Sequence, residues 1–366
     1  MPYLLKFSKA LINIFYLNFF FLLSKIIGKK TILICHTEFI TDNINYFFLK
    51  QIKKYDYDTK LSIIYCNVNF LNKNSQEFYI PLSFIKLIYL CDFFLTNYIC
   101  HLFPKNAKKI YLHHAIYDTP LSKFENYRNL KKRLLNYNYI FLCSEKSLPA
   151  FDQILKKKLL IYRFIGYYKY KYIKKNLKKK IKKNDKYNNI LIAPTGFSSV
   201  PSLSINLIIF ELIKLLLNNK YNVTLRPHPR DKNSSLIKKI ITKNKNNLNF
   251  KINFNNDYIS SFRKCDFLIT DTSDIAYSFN LLTFKPVIFY SKNVKYLKKN
   301  NSLKYNYFND RKKIGSLFSK KNQILKKINY LASISKKNKK NTIKITKKMN
   351  FNLNTYKEIV NFFYTN

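Results

Sequence analysis

Twice along the chain, short runs of leucine, β-branched and aromatic residues alternate with longer helical patterns, and a lysine-rich stretch separates the two series. The first series reads as buried strands at Thr31–His36, Lys60–Tyr65, Lys109–His113, Tyr139–Cys143 and Leu159–Arg163. The second reads as strands at Asn189–Ala193, Tyr221–Leu225, Phe250–Asn253, Asp266–Thr270 and Lys285–Tyr290, with an amphipathic helix from Ser204 to Leu217 in its first crossover. Strands that are apolar throughout, alternating with helices, belong to parallel sheets covered on both faces. The 366 residues exceed what one hydrophobic core usually serves. The expectation is therefore an α/β protein of two Rossmann-like domains facing a central cleft, with ligands outside the carboxyl ends of the strands.

This pattern divides the chain into a hydrophobic N-terminal helix (1–30), a first Rossmann-like domain (31–166), a basic linker (167–188), a second Rossmann-like domain (189–335) and a basic, partly helical tail (336–366). The N-terminal apolar run, Ala10 to Ile27, is interrupted by Asn13, Asn18 and Ser24 and flanked by Lys6, Lys9, Lys25, Lys29 and Lys30. No small-residue cleavage site follows it, and the interruptions keep it short of a clear membrane span. Two readings remain: an interfacial helix held on an anionic membrane by aromatics and lysines, or a helix packed on its own domain.

A formal net charge of +48 ordinarily points to nucleic acid or an anionic surface. Here Lys is abundant together with Asn, Ile, Tyr and Phe, while Gly (4), Pro (10) and Trp (0) are scarce, so lysine is a weak signal. No nucleic-acid-binding motif accompanies it, and no nucleic-acid partner is expected. Clusters of Arg, His and Pro are the informative places. The six cysteines lie mostly in apolar runs with no paired spacing, which reads as buried reduced thiols. Gly28, Gly166, Gly196 and Gly315 are isolated, which excludes a glycine-rich phosphate loop.

Three segments carry chemistry. Arg226-Pro227-His228-Pro229-Arg230 follows a predicted strand and crowds two guanidiniums and an imidazole into a loop stiffened by prolines. Guanidinium forks suit phosphate oxygens, and His228 can donate to a leaving oxygen. The alternative is a rigid turn whose arginines cap carbonyls. Asp271, Thr272 and Ser273 end a buried strand where a helix is predicted to begin, a place whose free N–H groups bind anions, or where one hydroxyl simply caps the helix. His113 and His114 end a strand of the first domain, with Asp118 nearby. Adjacent strand residues point to opposite faces, so one histidine is structural and the other, His114 by its place nearer the end, is the candidate base. A metal site at His113, His114 and Asp118 is a rival, but the spacing matches no metal signature. Pro194 and Thr195, and Asp42 and Asn43, are weaker candidates at further strand ends.

In this order the segments resemble the CDP-glycerol glycerophosphotransferases of teichoic-acid and capsule polymer synthesis. The likeness runs through Asp42-Asn43, Tyr46-Phe47, His113-His114, Thr119-Pro120-Leu121, Ile165-Gly166-Tyr167, Ile192-Ala193-Pro194-Thr195, Arg226-Pro227-His228-Pro229 and Ile269–Ser273 with Lys285–Tyr290. The resemblance implies a GT-B fold, catalysis by His114 and His228, donor-phosphate contacts from Asp271 to Ser273, and a place at the cytoplasmic face of the cell membrane. The family's His-Gly-Thr-Pro stands here as His114-Ala115-Ile116-Tyr117-Asp118-Thr119-Pro120, three residues longer, and its paired serines become Ser273-Asp274. The function implied is transfer of a polyol-phosphate group from a CDP donor to an acceptor hydroxyl on a glycan or lipid-linked acceptor, with Arg226, Arg230, Pro194 and Thr195 on the donor side. It implies no permanently bound cofactor and leaves a divalent metal open. A glycosyltransferase using a nucleotide-sugar donor is the nearest alternative, and a basic protein that binds nucleic acid or anionic surfaces is the second.

Overall fold

The computed structural model describes residues 2–36, 42–67, 78–117, 127–155, 161–177, 188–197, 201–255, 258–299, 301, 305–348 and 355–366. Two all-parallel sheets form. The first holds β1 (Lys30–His36), β2 (Leu61–Asn67), β3 (Phe78–Tyr79), β4 (Phe93–Thr96), β5 (Lys108–Leu112), β6 (Tyr139–Leu142) and β7 (Ile161–Phe164), in the order β3-β2-β1-β4-β5-β6-β7. The second holds β8 (Asn189–Ile192), β9 (Asn222–Leu225), β10 (Phe250–Ile252), β11 (Phe267–Thr270), β12 (Val287–Tyr290) and β13 (Gly315–Phe318), in the order β10-β9-β8-β11-β12-β13. The strand order reverses between β1 and β4 in one sheet and between β8 and β11 in the other, and such switch points open crevices for ligands.

Strands β3, β4 and β13 escape the sequence reading. All four residues of β4 are buried, so it shows no alternation and merges with the apolar stretch before it. Strand β13 is four residues in a lysine-rich region. In the second domain Ile190, Ile192, Val223 and Leu225 pack against Leu212, Ile213 and Leu216 of the helix Ile209–Asn218, and Ile237 and Ile240 of the helix Ser235–Asn244.

Two segments pack more deeply than their lysine content implies. The start of the expected linker buries Tyr167 and Tyr168 and, in the helix Tyr170–Leu177, Ile173. The chain's last helix, Thr355–Thr365, returns to the first domain and sets Tyr356, Ile359, Val360, Phe362 and Phe363 against Ile32, Phe48, Phe93, Ile110 and Phe141. Full burial of a phenylalanine is worth roughly 1.5–3 kcal/mol, enough to fix the crossing. Residues 178–187 of the expected linker lie outside the described residues.

The N-terminal helix, Pro2–Ile26, packs on the first domain by one side and exposes apolar residues on the other. Ala10, Ile14, Leu17 and Phe21 are buried, the last three in a cluster with Leu33, Ile85, Ile88 and Phe94. On its other side Ile12, Phe15 and Ile26 are each at least two-thirds exposed, and Leu11, Phe19, Leu22 and Leu23 are exposed too. By length and composition alone Phe7–Ile26 is able to cross a membrane. All six cysteines are buried and free.

Candidate active site

The site is built on three loops at the carboxyl edge of the second sheet and one of the first. Strand β9 runs into Arg226–Arg230 because Pro227 cannot donate to a ladder and Pro229 opens a short 3-10 turn, Pro229–Asp231. His228 caps that turn: its Nδ1 accepts the Arg230 N–H at 3.3 Å. A neutral imidazole that accepts at Nδ1 carries its proton on Nε2. Arg226 is half-buried and donates from Nη1 to the Asn255 carbonyl at 2.7 Å, whereas Arg230 is exposed.

Strand β8 runs into Ala193–Phe197, which is sewn to both neighbours. Thr270 Oγ1 donates to the Ala193 carbonyl at 2.6 Å, and Phe197 N–H donates to Asp231 Oδ2 at 2.8 Å. A Cβ built on Gly196 would stand 3.1 Å from His228 Nδ1 and 3.2 Å from Cγ. Gly196 is thus the residue that lets the imidazole lie on this loop, and its close approach gives it a role that isolation in the sequence concealed.

Strand β11 runs into Asp271–Asp274, whose polar groups bond to neighbouring loops. Asp271 is fully buried: Oδ1 accepts from Thr195 N (2.9 Å) and Thr272 N (2.6 Å), and Oδ2 from Ile205 N (2.9 Å). A carboxylate so occupied organises the loops. The hydroxyls of Thr195 and Thr272 are buried and lie 3.2 Å from each other, and Pro194 is buried. The helix begins at Ile275, with Asp274 as its N-cap residue, later than Thr272 or Ser273. Ser273 is half-buried, and its carbonyl accepts from Tyr307 hydroxyl at 2.9 Å.

In the first domain β5 runs into His113 and His114. His113 is fully buried against Tyr111 and Phe151, and neither ring nitrogen has a hydrogen-bond partner. Burial, with the charges of His114 and Lys169 adding, pushes its pKa well below the ordinary histidine value, so the ring is neutral. His114 is half-buried, its ring 6.3 Å from that of His113. Among the described residues no group of three His, Cys, Asp or Glu gathers as a metal site. Asp118 lies outside the described residues, and Asp42 and Asn43 open the helix Asp42–Tyr55 that follows β1 in the chain.

The two domains meet at this edge. Asp274 Oδ2 accepts Ile116 N–H at 3.1 Å and Oδ1 accepts Tyr117 N–H at 3.4 Å. The Tyr117 ring lies 4.0 Å from that of Tyr277, and its hydroxyl donates to Asp310 at 2.7 Å. Asp310 also takes Lys146 at 2.7 Å and Lys313 at 2.5 Å. Burial alone would raise its pKa, but these hydrogen bonds outweigh it and hold the carboxyl below its ordinary value. Beside it the buried Arg311 donates to the Asp271 carbonyl at 3.0 Å, with the rings of Phe308, Phe289 and Tyr307 around its guanidinium at 4.5, 5.0 and 5.1 Å. Sequence reading passed over Tyr117, Lys146, Asp310 and Arg311. For Arg311 a signal existed, since it is the one arginine in the lysine-rich stretch from 293 to 366.

Two parallel sheets whose switch-point edges face each other define a GT-B fold. The fold matches that of the wall teichoic acid polymerase TagF, with a TM-score of 0.61 and 15% identity over 99% of this chain and 98% of that one. A UDP-GlcNAc 2-epimerase from Neisseria meningitidis, bound to UDP-GlcNAc, matches with a TM-score of 0.56 and 13% identity over 92% of this chain and 100% of its own. The MnaA-UDP co-structure from S. aureus matches at 0.53 and 13%, over 72% and 79% of the two chains. No curated protein matches by sequence. The chain belongs to the CDP-Glycerol:Poly(glycerophosphate) glycerophosphotransferase family, whose model matches residues 42–355. It is a transferase that uses a nucleotide-activated donor.

Proposed function

We propose that the cleft moves a polyol-phosphate group, glycerophosphate first among them, from a CDP-alcohol to a hydroxyl of a glycan or lipid-linked acceptor in cell-surface polymer synthesis. His114 takes the proton of the acceptor hydroxyl, whose oxygen attacks the β-phosphorus in line. The bond from that phosphorus to the bridging oxygen breaks, and CMP departs. His228 offers its Nε2–H to the oxygen on which charge develops. Arg226, Arg230 and Ser273 hold the diphosphate, a division of labour that phosphoryl transfer rewards through positioning and charge stabilisation.

One observation carries the reading. The Ile116 and Tyr117 amides bond Asp274, and Asp271 bonds the amide of Thr195, next to the Gly196 on which His228 rests. The loops bearing His114 and His228 are thus joined through one continuous set of contacts at the switch-point edge. The apolar exposed side of the Pro2–Ile26 helix and the basic surface support attachment at the cytoplasmic face of an anionic membrane. The reading needs no permanently bound cofactor, and turnover before and after EDTA measures whether a divalent ion accompanies the donor. The decisive experiment offers the full chain CDP-glycerol, CDP-ribitol or UDP-sugars with a phosphate-polyol primer. Release of CMP with primer extension is expected, and release of UDP alone would sink the reading.

A further inference from the structure

The turn after β7 belongs to none of the roles assigned above, yet it reaches the candidate base. Gly166 has φ 77°, a left-handed conformation that costs a side chain free energy and that turns the chain back at the end of β7. Tyr167, Tyr168 and Lys169 follow. Lys169 Nζ donates to the His114 carbonyl at 3.2 Å and lies 5.9 and 5.4 Å from the ring centroids of Tyr167 and Tyr168. Both tyrosines are 3% exposed. Tyr167 hydroxyl lies 3.1 Å from Ser278 Oγ of the second domain, and the Tyr168 carbonyl accepts from Tyr356 of the last helix at 2.5 Å. The lysine is therefore seated by elements from three parts of the chain. On the preceding peptide, His113 N–H donates to Phe141 O at 2.9 Å and His113 O accepts from Cys143 Sγ at 2.8 Å.

We propose that Lys169 is a positioning residue for His114: its ammonium, seated on the His114 carbonyl, fixes the peptide from which the imidazole projects. The inference rests on the reading of His114 as the base. Removing the ammonium frees the carbonyl end of the residue, and small misplacements of a reacting group are costly in rate.

The charged and titratable groups facing Lys169 are His113 and His114 on the end of β5, Cys143 on the end of β6, Tyr167 and Tyr168 on its own turn, and Asp274 across the seam. Burial pushes the ammonium down to about 8, while Cys143 and Asp274 act in the opposite sense. A lysine with a lowered pKa keeps its charge below that value and loses it as the pH rises through it. Positioning by the ammonium therefore weakens on the alkaline side.

The test uses the full chain with isotope-labelled histidine side chains, the His114 resonance being assigned with H114Q. Between pH 6.5 and 10 the wild-type His114 ring is expected to show an inflection near pH 8 that reports the lysine. The inflection is absent in K169M, and K169R, whose guanidinium stays charged, shows none below pH 10. A wild-type curve without this inflection, or its survival in K169M, overturns the proposal. In turnover, K169M is expected to lose roughly tenfold in kcat with the donor KM nearly unchanged, and K169R to move the alkaline limb upward. Wild-type kcat in K169M also overturns it. Failure of the transferase reading shows separately, as wild-type protein that releases no CMP from any CDP-alcohol, and leaves the resonance measurement to decide on Lys169.

Discussion

The loop after β9 and the loop after β5 each carry a histidine at the cleft edge, and they hold it by opposite means. His228 is held mostly within its own turn, by the Arg230 amide on Nδ1 and by a proline on either side, with Gly196 the contribution from elsewhere. His114 is held from a distance, by Lys169 on its carbonyl, by Asp274 on the amides of Ile116 and Tyr117, and by Asp310 on the Tyr117 hydroxyl. The residues added relative to the family's His-Gly-Thr-Pro are among those that make these bonds, and the aspartate that replaces the second serine receives two of them. A histidine held locally should survive the loosening of the domain seam, and one held remotely should not.

Four experiments break or sharpen that contrast. The largest effect comes from the histidines themselves: H114A and H228A should each lower CMP release about 100-fold or more if both act in proton transfer, with thermal stability preserved. Near-normal turnover in either removes it from the pair. Next, Asp310 should show in stability against pH. Its lowered pKa means that its contribution is present above the ordinary carboxyl value and is lost as the pH falls through the folded one. Urea midpoints should place D310N about 2 kcal/mol below wild type at pH 7 and show the gap closing below about pH 4. A gap that stays constant with pH would mean that the charge contributes nothing.

Third, D274A should cost roughly tenfold in kcat by freeing the His114 loop, while CMP, read by calorimetry, binds within about threefold of wild type. Equal losses in both would show that Asp274 serves the donor loops and the seam alike. The smallest effect is expected for G196A, where the added methyl must displace the His228 ring by a few tenths of an ångström. About threefold in turnover, with stability unchanged, is the expected outcome, since the ring is anchored by its own turn and shifts as a unit. A loss as large as that of H228A would mean that the local anchor is weaker than the hydrogen bond implies.

The same contrast explains what was legible in advance. Strands β8, β9 and β11 and the segments that end them were readable because apolar runs bounded by Arg, His, Pro and Asp are local patterns. Strand β4 was not, because complete burial erases the alternation by which a strand is recognised. Asp271 was read as a donor contact because acidic and hydroxyl residues at a strand end look the same whether they meet ligand or backbone. Only the three amides converging on its carboxylate reveal the second case. Lys169 carried no signal, being a lysine among many, and Asp274 showed only as a departure from the family's paired serines.

Sequence alone determined that the chain makes two parallel sheets and sets an arginine- and histidine-rich turn at the carboxyl end of one of them. Those are consequences of apolar periodicity and of rare residue types standing next to one another. The tertiary structure decided which histidine of the pair enters the core, which carboxylate is spent on backbone amides, and how a glycine, a lysine and the last helix close around the cleft. Such outcomes depend on burial and on partners as much as 308 residues apart. A chain position carries no mark of the neighbour that will satisfy it.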